Sequence, residues 1–311
     1  MRGSHYFVGV DGGGTKTEIV AVDAAGTEVA RHTGPTSNPA VVGFAQSLEV
    51  LTTGIRRVAG DAGANLPFAG GWIGLAGFDR PGDRERIAPG LTGLIESPLL
   101  SNDGELILAG LPGRTGVAVI AGTGSIAIGR NASGVRARAG GWGHIFGDEG
   151  SGWALGKAAL RAIAAQIDGR GPETQLTELV MQEWDLQEPN EIVTRAYGFT
   201  DFKPEIAKLS SLTIRASWER DPVAIRIVEE ETEQLAAQVI AVADRLGFDE
   251  EIPLAMSGGL LLHVLTYRTS LLDAIRQHRS LGTVALVLHP ALAAAKAAAS
   301  ESSESKEGAP S

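Results

Sequence analysis

Two glycine-rich turns, each placed directly after a short apolar run, constrain the fold more than any other feature of this chain. Residues 6–10 lead into Asp-Gly-Gly-Gly-Thr-Lys-Thr at positions 11–17, and residues 116–121 lead into Gly-Thr-Gly-Ser at positions 122–125. Glycine has no Cβ, so backbone N–H groups in such turns can converge on phosphate oxygens, and the neighbouring threonine adds a hydroxyl. Either turn alone is also compatible with an ordinary tight hairpin. Because both follow similar strands, we predict two hairpins that clamp a polyphosphate.

The composition leaves room for two domains and excludes several kinds of site. The chain has 311 residues, of which 43% are hydrophobic, and this is enough for more than one core. A formal net charge of -10 provides no basic face, so neither nucleic acid nor a membrane surface is an expected partner. The sequence contains no cysteine, which excludes disulfides, thiolate-bound zinc, iron–sulfur clusters and cysteine nucleophiles.

The apolar segments are too short to span a membrane. The first strand also begins without the apolar segment of a signal peptide, so we predict a cytoplasmic protein. Residues 1–5, Met-Arg-Gly-Ser-His, resemble the beginning of an expression tag, and no role is assigned to them.

The pattern of apolar residues predicts the same order of elements twice. In the first half, β-type runs, helical spacing and turn residues predict strands at 6–10, 18–22, 28–31, 72–75 and 99–101, and helices at 42–58, 84–95 and 105–111. After Pro112 and Gly113 the order restarts, with strands at 117–121, 126–129, 135–139, 252–256 and 283–288, a helical block at 151–246 that includes a helix at 222–245, and helices at 260–278 and 290–299. We therefore predict an internal duplication of topology.

These elements suggest three segments. Residues 1–112 are expected to form the first domain, on which the helix at 290–299 could pack back, and residues 113–299 the second domain with a helical insertion. Residues 300–311 are small, charged or proline, a composition typical of a disordered tail.

Four motifs together resemble a known family. They are residues 11–17, residues 122–125, the block at 140–151 with sequence Gly-Gly-Trp-Gly-His-Ile-Phe-Gly-Asp-Glu-Gly-Ser, and Ser-Gly-Gly at 257–259. In this order they resemble the N-acetylglucosamine kinases and their BadF/BadG-type ATPase relatives, within the sugar kinase, actin and Hsp70 superfamily. The resemblance runs from about residue 6 to residue 299. It implies an α/β fold of duplicated ribonuclease-H-like (actin-like ATPase) domains, with mixed five-stranded sheets and flanking helices around a central cleft that holds MgATP and a sugar.

The absence of cysteine excludes some members of this family as models for the chain. Relatives that activate 2-hydroxyacyl-CoA dehydratases hold an iron–sulfur cluster through cysteines, and other related sugar kinases hold structural zinc through them. A zinc-independent sugar kinase remains. Dimerisation is common in the family, so a homodimer is compatible with the resemblance, although no feature of the sequence establishes one.

The resemblance implies a nucleotide site built from both hairpins and from the turn after the strand at 252–256. The residues concerned are Gly12, Gly13, Gly14, Thr15, Lys16, Gly122, Thr123, Gly124, Ser257, Gly258 and Gly259. Glycine turns would approach the outer phosphates, and the turn at 257–259 would contact the adenosine side. A solvated side chain is the alternative for the lysine.

Two aspartates are candidates for the chemistry of phosphoryl transfer. Asp11 ends the first strand at the first hairpin and is placed to hold Mg²⁺ directly or through water; the alternative is a turn carboxylate that binds its own loop. Asp103 follows a predicted strand and precedes a predicted helix, and it aligns with the catalytic aspartate of the family. A helix N-cap is the alternative for Asp103.

The sugar-binding residues that the resemblance implies are Asn38, Asp103, Ser125, Trp142, Gly143, Asp148 and Glu149. Each buried hydroxyl of a hexose needs a polar partner, which such residues can supply. A turn position before proline is the alternative for Asn38, and a core position is the alternative for Trp142. Phe78 and Asp79, near the end of another strand, are weaker candidates.

Three other signals are interpreted as structural. Residues 152–157 look like part of a Walker A loop but lack its first glycine and its final serine or threonine, so a helix is predicted there. His144 is expected to make a hydrogen bond in a loop, because the histidines show no ligand spacing. The turn at 122–125 lacks the last glycine of a nucleophile elbow, which argues against a serine hydrolase.

The function predicted from the sequence is an ATP-dependent amino-sugar kinase that phosphorylates the 6-hydroxyl of N-acetylglucosamine or glucosamine. Three alternatives stay open: a kinase of another hexose, a kinase of N-acetylmuramic acid, and a nucleotide-dependent ATPase switch or sugar sensor without kinase activity.

Overall fold

The computed structural model describes residues 5–78, 80 and 82–307. The tag-like residues 1–4, the candidate Asp79 and residues 308–311 of the predicted tail lie outside the described residues. The chain folds into two compact units. One consists of the residues up to Arg114 together with those from Val287 onward, and the other of residues Thr115–Leu286. The second unit therefore ends before the last helix, whereas the sequence placed the end of the second domain at residue 299.

The first unit contains a mixed five-stranded sheet. Its strands are β1 (Phe7–Gly12), β2 (Lys16–Val22), β3 (Glu28–Pro35), β4 (Gly70–Leu75) and β5 (Pro98–Asn102), in the spatial order β3-β2-β1-β4-β5. The first three strands form an antiparallel meander, because short turns connect them, while β4 and β5 run parallel to β1. Parallel pairing brings the carboxyl ends of β1, β4 and β5 to one edge.

The second unit repeats this sheet. Its strands are β6 (Gly116–Ala121), β7 (Ser125–Arg130), β8 (Arg136–Gly140), β9 (Glu251–Ser257) and β10 (Ser280–Leu286), in the order β10-β9-β6-β7-β8. In each unit the first strand lies at the centre, with the antiparallel meander on one side and the two parallel strands on the other. The predicted duplication of topology is confirmed.

The α-helices are, in chain order, α1 (Pro39–Asp61), α2 (Asp83–Ile87), α3 (Gly152–Ile167), α4 (Leu176–Glu183), α5 (Glu191–Tyr197), α6 (Phe202–Lys208), α7 (Ser210–Trp218), α8 (Pro222–Leu246), α9 (Gly259–His263), α10 (Leu265–Arg276) and α11 (Pro290–Glu307). Within the described residues, three 3₁₀ helices occupy Ala88–Leu91, Asp103–Gly110 and Pro112–Arg114. None of the described helices is both long enough and apolar enough to cross a bilayer.

Glycine and alanine let α11 pack closely on the central strand of the first unit. A Cβ at Gly9 of β1 would collide with the carbonyl oxygen of Ala291. Ala291 and Ala295 are fully buried in one cluster with Phe7 and Val20 of the same unit. Because small residues on both surfaces allow backbones to approach, the C-terminal helix belongs to the first unit.

The longest helix, α8, forms much of the core of the second unit. The side chain of Asp221 caps its first turn by accepting hydrogen bonds from the N–H groups of Val223 and Ala224, and Gly247 ends it in the left-handed conformation. Its apolar face includes Leu235 and Val239, which are fully buried in the same cluster as strand β6. This amphipathic helix was predicted from its apolar spacing.

Three predicted helices differ from the observed ones. The helix predicted at 84–95 ends at Ile87, and a 3₁₀ turn follows because Pro89 lacks a backbone N–H. The segment predicted as an α-helix at 105–111 is the 3₁₀ helix Asp103–Gly110. The helix predicted at 260–278 is divided into α9 and α10 by Val264, which has extended backbone angles.

The C-terminal helix is longer than expected. The sequence predicted a helix at 290–299 and a tail from residue 300, whereas α11 continues to Glu307. The added segment is Ser-Glu-Ser-Ser-Glu-Ser-Lys-Glu, in which glutamate and lysine have good helix propensity and continue a helix that the alanines at 291–299 have already formed.

Candidate active site

The first glycine hairpin joins β1 to β2 and combines a packed side with an open one. A Cβ at Gly12 would collide with the Ser37 hydroxyl and the Leu75 side chain, so this glycine is required for packing. At Gly14, no heavy atom of the described residues lies within 4 Å of the position that a Cβ would take. Gly14 and Thr15 are exposed. The tip of the hairpin is therefore accessible to a ligand, while its base is fixed.

Hydrogen bonds connect this hairpin to the start of α1. The Thr36 hydroxyl donates to the carbonyl oxygen of Gly13 at 2.8 Å, and the N–H of Asn38 donates to the same hydroxyl at 3.1 Å. The Asn38 side-chain oxygen caps α1 by accepting from the N–H of Ala40 at 2.9 Å. Asn38 thus occupies a turn before Pro39, as the structural alternative for this residue predicted. It caps α1 through its side-chain oxygen and not through its amide nitrogen.

The carboxylates of Asp11 and Asp103 are brought together at the carboxyl end of the sheet. Asp11 of β1 is in register with Gly74 of β4, which is in register with Ser101 of β5. The position of a Cβ at Gly74 is 2.9 Å from the Cα of Asp103. Because glycine occupies β4 here, the backbone at Asp103 lies directly against the strand, beside Asp11.

The pKa of Asp11 reflects both its burial and the proximity of Asp103. Burial raises the pKa of Asp11 to about 7, and repulsion from Asp103 and then from Glu18 adds to the effect, while Lys16 opposes it. Lys16 itself is exposed, as expected for a solvated side chain. A bound cation would favour the ionised form of this buried carboxyl and reduce its repulsion with Asp103.

The capping role considered for Asp103 belongs to its neighbour. Asn102 is the N-cap of the 3₁₀ helix Asp103–Gly110, and its side-chain oxygen accepts from the N–H of Gly104 at 3.0 Å. Oδ1 of Asp103 also accepts from this N–H at 3.0 Å. Because Asn102 already caps the helix, the Asp103 carboxylate is not needed as the cap.

The donor set at this edge fits a magnesium ion bound together with phosphate. Among the described residues there is no group of three or more histidines, aspartates and glutamates that could enclose a metal ion. Mg²⁺ commonly uses only one or two protein carboxylates and completes its octahedron with water and substrate phosphates. Asp11 supplies such a carboxylate at the base of the hairpin.

The second hairpin joins β6 to β7 and is held by the start of α3. Its N–H at Gly122 donates to the carbonyl oxygen of Gly124 at 2.9 Å, and Thr123 at its tip is exposed. The N–H of Gly152 donates to the Gly122 carbonyl at 2.7 Å, and that of Trp153 to the Thr123 carbonyl at 3.3 Å. Residues 152–157 are helical, as predicted.

The turn at 257–259 lies against this hairpin. Ser257 of β9 is in register with Ile120 of β6, and Gly258, at a φ of 91°, has no space for a Cβ because the carbonyl oxygen of Ala121 occupies it. Gly259 is exposed, and its backbone nitrogen lies 3.9 Å from the position that a Cβ at Gly122 would take. The structure therefore gathers the nucleotide candidates of the second unit into one place.

The block at 140–151 places two sugar candidates, Asp148 and Glu149, beside a third, Ser125, which follows the same hairpin. Asp148 is 3% exposed and has a φ of 68°, which is uncommon for a residue other than glycine. Its Oδ1 accepts from the N–H of Ser125 at 3.3 Å, and the Ser125 hydroxyl donates to the carbonyl oxygen of Glu149 at 2.6 Å. A Cβ at residue 124 would lie only 2.9 Å from Asp148 Oδ1, so a side chain there would force the two residues apart.

Trp142 is on the surface, so the core position considered for it is wrong. It is 66% exposed, and the guanidinium of Arg138 lies 5.0 Å from its ring centroid. Gly143 follows with a φ of 78°. His144 makes edge contacts with the rings of Trp153 at 5.2 Å and Phe202 at 5.5 Å, so aromatic packing rather than the expected hydrogen bond describes its environment.

The candidate residues divide between the two units. Asp11, the first hairpin, Asn38 and Asp103 belong to the first unit, as does the weaker candidate Phe78, which is buried. The second hairpin, the block at 140–151 and the turn at 257–259 belong to the second unit. Each unit thus contains a glycine hairpin next to at least one buried or half-buried carboxylate.

Comparison with known proteins decides the family. The model of the BadF/BadG/BcrA/BcrD ATPase family matches residues 8–299 of the chain. The chain belongs to this family. The resemblance predicted from the four motifs is confirmed.

Two relatives of this BadF/BadG-type ATPase are 34% identical to it. One is an N-acetyl-D-glucosamine kinase of Dictyostelium discoideum, aligned over 81% of this chain and 84% of the relative. The other is an N-acetylmuramic acid/N-acetylglucosamine kinase of Clostridium acetobutylicum, aligned over 83% of this chain and 86% of the relative.

Solved structures confirm the predicted fold class. A protein of Chromobacterium violaceum, provisionally named an N-acetylglucosamine kinase, is 28% identical with a TM-score of 0.67, covering 94% of this chain and 97% of that one. The ROK hexokinase of Thermus thermophilus, at 19% identity and a TM-score of 0.54, covers 96% and 99% and shows the shared fold.

Sequence reasoning missed three polar partners of the block in this BadF/BadG-type chain. The Lys203 ammonium lies 2.8 Å from Asp148 Oδ2, and the Gln238 amide donates to Glu149 Oε2 at 3.1 Å. Glu231 accepts from the N–H of Gly150 at 2.7 Å, and burial raises its pKa above the usual range. All three are on helices distant in sequence, and no motif marks them.

Proposed function

We propose that this protein is an ATP-dependent amino-sugar kinase that transfers the γ-phosphate of ATP to the 6-hydroxyl of N-acetylglucosamine or glucosamine. The observation that carries the proposal is the pair of carboxylates Asp11 and Asp103 beside an open glycine hairpin. Phosphoryl transfer needs a metal-binding carboxylate, backbone donors for phosphate and a carboxylate for the attacking hydroxyl. Two carboxylates and an open glycine hairpin at this edge of the first unit support the proposal.

The relatives support a sugar as the acceptor. The two 34% identical proteins are named as kinases of N-acetylglucosamine, and one also of N-acetylmuramic acid. That second name favours an N-acetylmuramic acid kinase as the alternative assignment. Identity at this level over more than four-fifths of the chain supports the reaction class, while the substituents of the sugar depend on individual side chains.

In the proposed mechanism the two aspartates have different tasks. Asp103 accepts the proton of the sugar 6-hydroxyl or orients that hydroxyl for in-line attack on the γ-phosphorus. Asp11 would hold Mg²⁺, which when bound would supply positive charge to the terminal phosphates. Burial, and then repulsion from Asp103, raise the pKa of Asp11, and a bound cation would offset both effects.

The glycine turns and the block at 140–151 bind the two substrates. In the first unit, the exposed residues Gly14 and Thr15 are proposed to contact phosphate through their backbone N–H groups. In the second unit, the hairpin at 122–124 and the turn at 257–259 are the proposed nucleotide contacts. The proposed partners of sugar hydroxyls are Asn38 in the first unit and, separately, Gly143, Asp148 and Glu149 in the second unit. The exposed ring of Trp142 offers an apolar surface to a sugar face.

A coupled ADP-release assay tests the proposal. It uses N-acetylglucosamine, glucosamine, N-acetylmuramic acid and glucose as acceptors, with ATP alone as the reference. We expect ADP release to depend on an amino sugar, and the product to carry phosphorus coupled to the C6 protons in its NMR spectrum. Equal ADP release with and without every sugar would instead establish an ATPase, and phosphate on another carbon would refute the assignment of the 6-hydroxyl.

A further inference from the structure

Two hydrogen bonds fix the direction in which the hydroxyl proton of Thr36 points. The hydroxyl donates to the carbonyl oxygen of Gly13 at 2.8 Å and accepts from the N–H of Asn38 at 3.1 Å. A hydroxyl has a single proton, and the N–H of Asn38 occupies one of its lone pairs. The proton is therefore directed to the first hairpin and not to α1.

Buried hydrogen bonds hold the segment that carries Thr36. The Thr17 hydroxyl donates to Ser37 Oγ at 2.8 Å, and the Ser47 hydroxyl of α1 donates to the Ser37 carbonyl oxygen at 2.7 Å. All three of these side chains are fully buried. A Cβ at Gly12 would collide with Ser37 Oγ, so the base of the hairpin lies directly against this segment. Thr36 therefore acts on the hairpin from a fixed position.

The hydrogen bond to the Gly13 carbonyl also determines the direction of the next N–H group. The C=O of Gly13 and the N–H of Gly14 belong to one planar peptide group, which is trans. In a trans peptide these two groups point in opposite directions. Because the carbonyl is turned towards Thr36, the N–H of Gly14 points away from the segment at residues 36–38. Gly14 itself is exposed at the tip of the hairpin.

This peptide group needs such a contact because glycines surround it. Residues 12–14 are three consecutive glycines, which populate backbone angles that other residues avoid, so their own sequence does not hold the peptide in one orientation. A binding group that is ordered only when the ligand arrives costs conformational entropy at that moment. A contact that orders the peptide beforehand therefore strengthens ligand binding.

We infer that Thr36 is a positioning residue for phosphate binding, because its hydroxyl fixes the peptide group between Gly13 and Gly14 and so directs the N–H of Gly14. The inference rests on the proposed function, which assigns contacts with the outer phosphates of the nucleotide to this hairpin. Thr36 acts through the backbone and touches no substrate. Its effect should therefore depend on whether the nucleotide has outer phosphates, and AMP, which lacks them, is the reference ligand.

Isosteric substitution tests the role of the Thr36 hydroxyl. Thr36→Val replaces the hydroxyl by a methyl group, Thr36→Ser keeps the hydroxyl, and Thr52→Val removes a hydroxyl that donates to the Glu49 carbonyl oxygen within α1 at 3.2 Å. Calorimetry measures the Kd of a non-hydrolysable ATP analogue with Mg²⁺ and the Kd of AMP. We expect Thr36→Val to raise the Kd of the ATP analogue about 3- to 10-fold, as for one neutral hydrogen bond, and that of AMP less than about twofold. The other two variants should keep both values within about twofold of the wild type.

The outcomes separate this inference from the proposed function. If Thr36→Val weakens the binding of both nucleotides equally, or lowers only the melting temperature, the role of Thr36 is structural and the inference is wrong. If Thr36→Ser behaves like Thr36→Val, the hydroxyl is not responsible and the inference is wrong as well. The kinase assignment stands in both cases, because the sugar-dependent ADP release of the wild type tests it independently of these variants.

An NMR measurement on the wild type keeps the inference testable if Thr36→Val does not fold. In protein with isotopically labelled glycine, the Gly14 amide is identified by its absence from the spectrum of Gly14→Ala, whose Cβ would meet no described atom within 4 Å. We expect the ATP analogue to move the Gly14 amide proton to lower field, as a hydrogen bond to phosphate does, and AMP to leave it nearly unchanged. A Gly14 amide that responds equally to both nucleotides, or to neither, would overturn the inference.

Discussion

Gly74→Ala is expected to impair catalysis by displacing Asp103, although residue 74 is not proposed to touch a substrate. The new Cβ would lie 2.9 Å from the Cα of Asp103 and 2.6 Å from Cγ of Leu106. Leu106 is fully buried in the core. The backbone at Asp103 must then retreat by about 0.5 Å to reach an ordinary contact distance, which overpacks the site.

The expected magnitude follows from this displacement. Overpacking costs about 1–3 kcal/mol of stability, and a misplacement of up to about 1 Å in a catalytic group can lower the rate by about 10²-fold. We expect kcat to fall about 10- to 100-fold in the coupled ADP-release assay, with ATP binding nearly unchanged.

Two control variants separate crowding from chemistry. Gly129→Ala in β7 of the second unit is similarly crowded, with Leu246 and Val242 atoms at 2.6 and 2.7 Å from the new Cβ, and should lower the melting temperature without a selective loss of kcat. Gly60→Ala in α1 meets no described atom within 4 Å and should be neutral or stabilising. A Gly74→Ala protein that unfolds like Gly129→Ala but keeps wild-type kcat would refute the reasoning.

Two further predictions concern stability. Because burial raises the pKa of Asp11 to about 7, its protonated form stabilises the metal-free fold at low pH, and this contribution is lost as the pH rises through 7. Denaturant unfolding without metal should therefore show that the advantage of Asp11→Asn over the wild type grows by about 1–3 kcal/mol between about pH 3.5 and pH 8, a range that spans the ordinary pKa of 3.8 and the raised pKa of about 7. The full effect of about 4 kcal/mol is reduced by the partial exposure of the side chain, and an advantage independent of pH would contradict this. Asp221 accepts hydrogen bonds, each of 2.9 Å, from the N–H groups of Val223 and Ala224 and from the Thr174 hydroxyl. Asp221→Ala should therefore lower the free energy of unfolding by about 2–3 kcal/mol. A loss below about 0.5 kcal/mol would show that solvent replaces these bonds.

The strands and their duplication could be predicted from the sequence because their signals are local. Apolar runs such as residues 117–121 and glycine turns at their ends are sufficient to place a strand and the hairpin after it. The order of strands then followed from the repetition and from the family resemblance. The positions of Asp11 and Asp103 at the ends of strands were readable for the same reason.

Other features depend on contacts that sequence spacing does not encode. Apolar spacing at 84–95 indicates a helix, but Pro89 and Gly90 give a 3₁₀ turn. The continuation of α11 beyond residue 299 and the pairing of Lys203 with Asp148 arise from helix propensity and tertiary packing. The importance of Gly74 could not be predicted from the sequence either, because only the structure shows that Asp103 and Leu106 occupy the space that a Cβ would need.

The most direct test of the central claim is the activity of Asp103→Asn in a single-turnover experiment with ATP, Mg²⁺ and N-acetylglucosamine. The substitution keeps the size of the side chain and removes the carboxylate that would accept the hydroxyl proton. We expect the rate of sugar phosphorylation to fall about 10²- to 10⁴-fold, while the affinity for ATP changes by less than about threefold. A variant that binds ATP normally and phosphorylates the sugar at nearly the wild-type rate would show that Asp103 is not the catalytic carboxylate.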